Sequence, residues 1–193
     1  MRTRFVLIIA AVVFALDQAA KYVVRQKMQL YQSENVLGDF FRLTYTLNEG
    51  IAFGLEIGGR WLLAGFTIAA IFFLLYYIIA LKDTPPVVRA GLGLILGGAF
   101  GNLFDRIVYG KVVDFFDFDF PDFLMDRWPI FNIADSAVSV GITILAIYLV
   151  LFSTQDDTTD AKQTAKSGSS GAGSNKSSGF TETDQRTDRS VPG

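Results

Sequence analysis

Residues 61–81 read WLLAGFTIAAIFFLLYYIIAL, an apolar run without a single charge. A helix of about 20 apolar residues crosses the ~30 Å hydrocarbon core of a bilayer. This stretch therefore predicts a membrane-spanning helix, and it sets the fold class for its neighbours. Residues 132–152 qualify if Asp135 is tolerated, and residues 5–24 if Asp17 and Lys21 are. Residues 88–108 form the weakest span, rich in Gly and ending in Asp105-Arg106. The expected fold is a membrane all-α core of four transmembrane helices at 5–24, 61–81, 88–108 and 132–152. The first is not read as a cleaved signal peptide, because Asp17 and Lys21 stand where a cleavage region would lie.

Composition supports this reading. The chain has 193 residues, 51% hydrophobic and 19% charged, below the roughly 25% charge of soluble domains. It has no Cys and no His, which excludes disulfides, zinc fingers, His-ligated metals, haem and Cys–His nucleophiles. A formal charge of −2 argues against a nucleic-acid surface. No cofactor is implied. Chemistry must come from Asp, Glu, Lys, Arg, Asn, Ser, Thr or Tyr.

Between the first two helices, residues 25–60 are mixed and polar. Leu43, Tyr45 and Leu47 alternate with Arg42, Thr44 and Thr46, the period of a half-buried strand. Asn48-Glu49-Gly50 reads as a turn, and Ile51-Ala52-Phe53 as a return strand. A small extramembrane β-sheet is expected here. Helices 2 and 3 are joined by a short turn containing Pro85-Pro86. In the 109–131 segment Phe116, Phe118 and Phe120 alternate with Asp117 and Asp119; with Trp128 they suit a water–lipid interface. Residues 153–193 are rich in Ser, Thr, Gly, Asp and Lys, and are expected to form a disordered polar tail. Positive charge is nearly balanced between the loops, so it does not orient the chain. An even number of spans places both termini on one side.

Polar residues inside such helices are costly and so carry information. Asp17 and Lys21 are spaced i,i+4 and can pair on one face. Asn102, Asp105 and Arg106 share a face near the end of helix 3. Asn132 and Asp135 are spaced i,i+3 at the start of helix 4, where Asn132 can serve as the N-cap. Asp105 and Arg106 can pair across helices. Gly93, Gly97 and Gly101 repeat every four residues, a stripe that lets another helix approach closely. Ser136 or Ser139 with Lys21 gives only a faint Ser–Lys signal. Asp114 and Asp135 have no adjacent cation and sit among apolar residues. Two such carboxylates together share a proton, as in aspartic proteases. The residues alone leave a catalytic pair, a proton pathway and a structural subunit open. The clustering of acids toward one face and the absence of repeated halves weigh against transport.

Five strings now stand in order: Asp17-Gln18-x-x-Lys21; Asn48-Glu49-Gly50-Ile51-Ala52-Phe53-Gly54; Gly97-Gly98-Ala99-x-Gly101-Asn102-Leu103-x-Asp105-Arg106; Gly110-x-Val112-Val113-Asp114-Phe115; and Phe131-Asn132-Ile133-Ala134-Asp135-Ser136. Together, over about residues 5–152, the chain resembles the bacterial lipoprotein signal peptidases (signal peptidase II). The tail lies outside the resemblance. The resemblance implies an inner-membrane aspartic endopeptidase that needs no metal. Its substrates would be prolipoproteins carrying a diacylglyceryl-Cys lipobox, cut just before that Cys. Asp114 and Asp135 match the family's catalytic carboxylates. Asn48, Gly50, Asn102, Asp105, Arg106 and Asn132 match residues that line or support the site, and Asp17 and Lys21 a supporting pair on helix 1. The implied topology puts both termini in the cytoplasm, the site near the periplasmic face, and the sheet as a substrate cradle. One chain supplies the whole site, so a monomer in membrane lipid is expected, with no nucleic-acid partner.

Overall fold

The computed structural model describes residues 2–50, 59–80, 84–119 and 127–170. Elements run in the order α1 (Arg2–Lys27), β1 (Ser33–Leu37), β2 (Phe41–Asn48), α2 (Gly59–Ala80), α3 (Pro86–Val108), β3 (Val112–Phe118) and α4 (Ile133–Ser170). Among the described residues, four helices are long and apolar enough to cross a membrane: 3–27, 61–80, 86–108 and 133–151. Two bounds differ instructively from the sequence reading. α3 begins at Pro86, because proline suits the first helical position, where its missing N–H costs nothing. α4 keeps helical backbone to Ser170, where an unstructured tail was expected from 153. Ala161, Lys162, Gln163, Ala165 and Lys166 are good helix formers, which favours that backbone. The chain divides into two units, 1–150 and 151–193, and the helical bundle and the sheet belong to the first.

α3 is the central helix. Its apolar span is 56% buried, against 28% for α1 and 17% for each of α2 and α4. Its Val88, Leu92, Leu96 and Leu103 pack with Val6 and Ala10 of α1 and with Ala64, Ile71 and Ile78 of α2. Outward-facing Ile8, Leu16, Phe66, Phe72, Ile79, Val140 and Leu149 are exposed, as lipid-facing side chains are in a spanning bundle. The Gly stripe of α3 does what its spacing implies, and its partner is α1. A Cβ at Gly97 would stand 2.7 Å from both the Ala10 carbonyl oxygen and Val13 Cβ. A Cβ at Gly93 would stand 2.8 Å from Ile9 Cβ. A second set, Gly91 and Gly98, faces α4, and a Cβ at Gly98 would collide with the Ala134 carbonyl oxygen. With little hydrophobic gain available inside lipid, such close backbone contact is what holds helices together.

The three strands form one antiparallel sheet in the order β1-β2-β3. The strand expected at 42–47 is β2. The return strand expected at 51–53 lies outside the described residues. Among the described residues the partners of β2 are β1 and β3, which the sequence reading did not identify as strands. β1 is exposed at every position, so it carries no alternation to read. β3 holds the Phe–Asp alternation that was read as interfacial. Pairing of β2 with β3 sets Arg42 against Asp117, Thr46 against Asp114 and Asn48 against Val112, with an irregularity between Leu43 and Thr46. Such a bulge re-aims the side chains beyond it. A small apolar cluster of Val24, Val113 and Phe115, with Leu47 and Met28 packed on it, fixes the sheet to the C-terminal end of α1.

Candidate active site

The C-terminal ends of α1 and α3, the N-terminal end of α4 and strands β2 and β3 converge on one group of side chains. Asn132 is its hub. It immediately precedes α4 and caps it: its Oδ1 accepts the Asp135 N–H at 2.9 Å. Its own backbone N–H donates to Asp135 Oδ2 at 3.2 Å, a reciprocal capping arrangement. Its Nδ2 donates to Asp114 Oδ1 at 2.6 Å and to Asn102 Oδ1 at 3.1 Å. One asparagine thus holds both carboxylates that the sequence singled out.

Two more amides complete the frame. Asn48 Nδ2 donates to Asp114 Oδ2 at 3.0 Å, and Asn102 Nδ2 donates to Asp135 Oδ1 at 2.7 Å. The orientation of each amide follows from its other end. The Gly50 N–H donates to Asn48 Oδ1 at 2.8 Å, which leaves the Asn48 NH₂ for Asp114. Gly50 adopts φ +86°, and a Cβ there would collide with Leu63, so only glycine suits this turn. Lys21 Nζ donates to Asn102 Oδ1 at 2.9 Å, which leaves the Asn102 NH₂ for Asp135. Lysine only donates, so the Asn102 carbonyl must face it.

Asp114 is buried, at 2% exposure, and Asp135 is half-buried. Burial, followed by the charge of Asp135, pushes the Asp114 carboxyl up to about 6, against the pull of Asn48, Asn132 and Lys21. Arg106 lies close enough to Asp135, Asp114 and Asp105 to interact electrostatically with all three. The pairing across helices expected of Arg106 is not found among the described residues. Its Nη1 donates to the Asn102 carbonyl oxygen of the same helix at 3.4 Å.

Beneath the dyad lies a charged network shielded from solvent. Lys21 Nζ is 2.8 Å from Asp17 Oδ2 and 3.1 Å from Asp105 Oδ2, all three side chains fully buried. The i,i+4 pair read from sequence is therefore real, and Asp105 joins it from α3. Asp17 Oδ1 accepts the Ala134 N–H at 2.9 Å, so a carboxylate of α1 caps the start of α4 one residue before Asp135. Asp105 Oδ2 accepts the Val113 N–H at 3.2 Å, tying α3 to the strand that carries Asp114. Arg25 Nη2 reaches Asp105 Oδ1 at 3.0 Å, and Gln18 Nε2 bridges Asp17 and Asp105. Arg25 was not singled out from sequence. It falls one residue beyond the expected 5–24 span, among the charges of the 25–60 segment, and only the approach of α3 reveals its partner. The Ser–Lys alternative has no geometry: Ser136 Oγ donates to the Asn132 carbonyl oxygen, and Lys21 is engaged elsewhere. At the mouth, Glu49 and Lys111 form an exposed ion pair between the ends of β2 and β3.

Comparison with known proteins gives this geometry a family. A family model described as signal peptidase (SPase) II matches residues 9–151. The chain belongs to the signal peptidase II family. A "Lipoprotein signal peptidase" from Halothermothrix orenii is 42% identical over 144 residues, covering 75% of this chain and 94% of that protein. One from Symbiobacterium thermophilum is 39% identical over 145 residues, covering 75% and 93%. A solved structure described as a bacterial membrane enzyme superposes with a TM-score of 0.70 at 32% identity, covering 78% of this chain and 90% of that one. The chain is thus a multi-pass membrane peptidase of the aspartic class, and family membership decides against the transport and subunit readings.

Proposed function

We propose that the chain removes signal peptides from diacylglyceryl-modified prolipoproteins, cutting immediately before the lipidated Cys, with Asp114 and Asp135 as the catalytic pair. The observation that carries this is the double hold of Asn132 on both carboxylates, with no cation in an ion pair with either among the described residues. Two carboxylates so held can share the work of acid and base. Burial favours the proton on Asp114. Ionised Asp135 then takes a proton from the attacking water while Asp114 gives its own to the scissile carbonyl oxygen; as the C–N bond breaks, Asp135 passes its proton to the leaving nitrogen and Asp114 recovers one from a hydroxyl of the tetrahedral diol. Asn48, Asn102 and Asn132 keep the carboxylates aimed. Each of the Asn48 and Asn102 NH₂ groups retains a second hydrogen for an extended peptide. Arg106 stands where it can orient that peptide's carbonyls.

The dyad and the sheet lie at one end of the bundle, which suits an extramembrane cradle over a site at the membrane surface. In this reading the site faces the periplasm, both termini are cytoplasmic, and one protomer in inner-membrane lipid is sufficient. The diacylglyceryl chains lie in the bilayer between helices, so no enclosed lipid pocket is needed. No metal or other cofactor takes part. The test is a gel-shift assay in detergent with a diacylglyceryl-modified precursor and its unlipidated form. Cleavage of the lipidated form by wild type, and none by Asp114→Asn or Asp135→Asn, is the expected result. Undiminished cleavage by either variant would remove the dyad from the mechanism.

A further inference from the structure

Arg25 stands outside the dyad and its amide frame, yet three observations tie it to Asp114. The first is charge. Asp17, Lys21 and Asp105 are fully buried, two acids against one base, a formal excess of one negative charge. A buried charge without compensation is costly. Arg25, 18% exposed and 3.0 Å from Asp105, supplies the compensating cation. The second is geometry on the other side of the guanidinium. Its Cζ lies 3.9 Å from the centroid of the Tyr109 ring, a stacked cation–π contact. Tyr109 is the C-cap of α3, and its N–H donates to the Asp105 carbonyl oxygen at 2.8 Å. The third is what comes next in the chain. Gly110 turns the backbone at φ +79°, and the Val113 N–H returns to Asp105 Oδ2. Asp114 follows directly. Arg25 therefore grips both ends of the short return from α3 into β3: the carboxylate that anchors Val113 and the aromatic ring at the turn.

We propose that Arg25, stacked on Tyr109, is a positioning residue that sets Asp114 between Asn48 and Asn132 by locking Asp105 to the Val113 N–H. The inference rests on the dyad assignment. An Arg suits this place better than a Lys, because its planar fork bonds a carboxylate edge-on while its face stacks on a ring. Asp114 is surrounded by Asp135 of α4, Lys21 of α1, Arg106 of α3, and the Asn48 and Asn132 amides. Moving β3 changes the two amide bonds first, and those bonds favour the ionised carboxylate. Loosening the lock therefore moves the Asp114 titration upward.

The experiment uses the full chain in detergent with Arg25→Met, Arg25→Lys and Tyr109→Leu. Two readouts are made: kcat and KM on the lipidated precursor, and the Asp114 titration midpoint by infrared difference against Asp114→Asn. Arg25→Met is expected to lower kcat on the order of tenfold with KM little changed, as misplacement of a reacting group does. The midpoint should rise by about half a pH unit or more, the equivalent of a weakened hydrogen bond. Arg25→Lys should recover part of kcat, since it restores charge without the stack, and Tyr109→Leu should fall between. A folded Arg25→Met with wild-type kcat and midpoint would overturn the proposal. So would losses of kcat that track only the folded fraction while the midpoint stays fixed. A wild type that leaves the lipidated precursor uncut would instead sink the substrate assignment, and the midpoint would still decide the role of Arg25.

Discussion

Asp114→Asn should raise the stability of the fold by an amount that grows with pH. The Asp114 carboxyl is pushed from its ordinary 3.8 to about 6, first by burial and then by the charge of Asp135. That is roughly two pH units at about 1.36 kcal/mol each, so the ionised carboxylate costs the folded state about 3 kcal/mol. The sign follows from proton linkage. Between 3.8 and about 6 the folded state binds more protons than the unfolded chain, so stability falls as pH rises through that window. Below it, the protonated Asp114 carboxyl and the asparagine amide that replaces it are near-isosteres. Each is neutral, and each keeps one carbonyl oxygen to accept from one of the two amides; the second amide meets a hydroxyl in wild type and an NH₂ in the variant, a small offset of about 1 kcal/mol that does not change with pH. The variant and wild type should then unfold at nearly the same temperature at pH 4. At pH 8 the variant should be more stable by up to about 3 kcal/mol, on the order of 6–12 °C for a chain of this length. Thermal unfolding in detergent, followed by tryptophan fluorescence at pH 4, 6 and 8, measures the difference directly. A gap that stays constant with pH, or a variant less stable than wild type at pH 8, would refute the argument. Loss of activity together with a gain in stability is the signature of a group held in place for its chemistry at a cost to the fold.

Three further outcomes follow from the packing and the site. Gly98→Ala should reduce cleavage and lower stability by about 1–3 kcal/mol, because its Cβ meets the Ala134 carbonyl and displaces the residue before Asp135. Gly91→Ala, whose Cβ meets its nearest neighbour at 3.1 Å, should be milder in the same melting and cleavage assays. Ser136→Ala should cleave within about twofold of wild type, since it removes only a neutral bond to the Asn132 carbonyl, of the kind worth about 1 kcal/mol. A loss of several orders of magnitude would reopen a serine mechanism.

Much of this protein was legible along the chain. Four spans follow from hydropathy summed over about 20 residues, a local quantity that burial against other helices hardly alters. The pairing of Asp17 with Lys21 and the capping of α4 by Asn132 are also local, fixed by i,i+4 and i,i+3 geometry. The Gly93, Gly97 and Gly101 stripe announced a close helix contact, and the period-two pattern of 42–47 announced β2. What the chain could not show is who meets whom across long separations. That α1 fills the Gly stripe and that β1 and β3 flank β2 depend on contacts between distant segments. β1 has no buried face to betray it. The site shows the same division. Sequence supplied Asp114 and Asp135 as carboxylates without a local cation. Only the tertiary structure decided that asparagine amides hold them, that Lys21 turns Asn102 toward Asp135, and that Arg25 closes the charge balance around Asp105. An amide takes its orientation from the group at its far side, and a buried carboxylate its charge balance from whichever cation reaches it. Here those partners come from different helices, Lys21 and Asn102 being 81 residues apart in the chain and Arg25 and Asp105 80. Over such separations no local periodicity carries information.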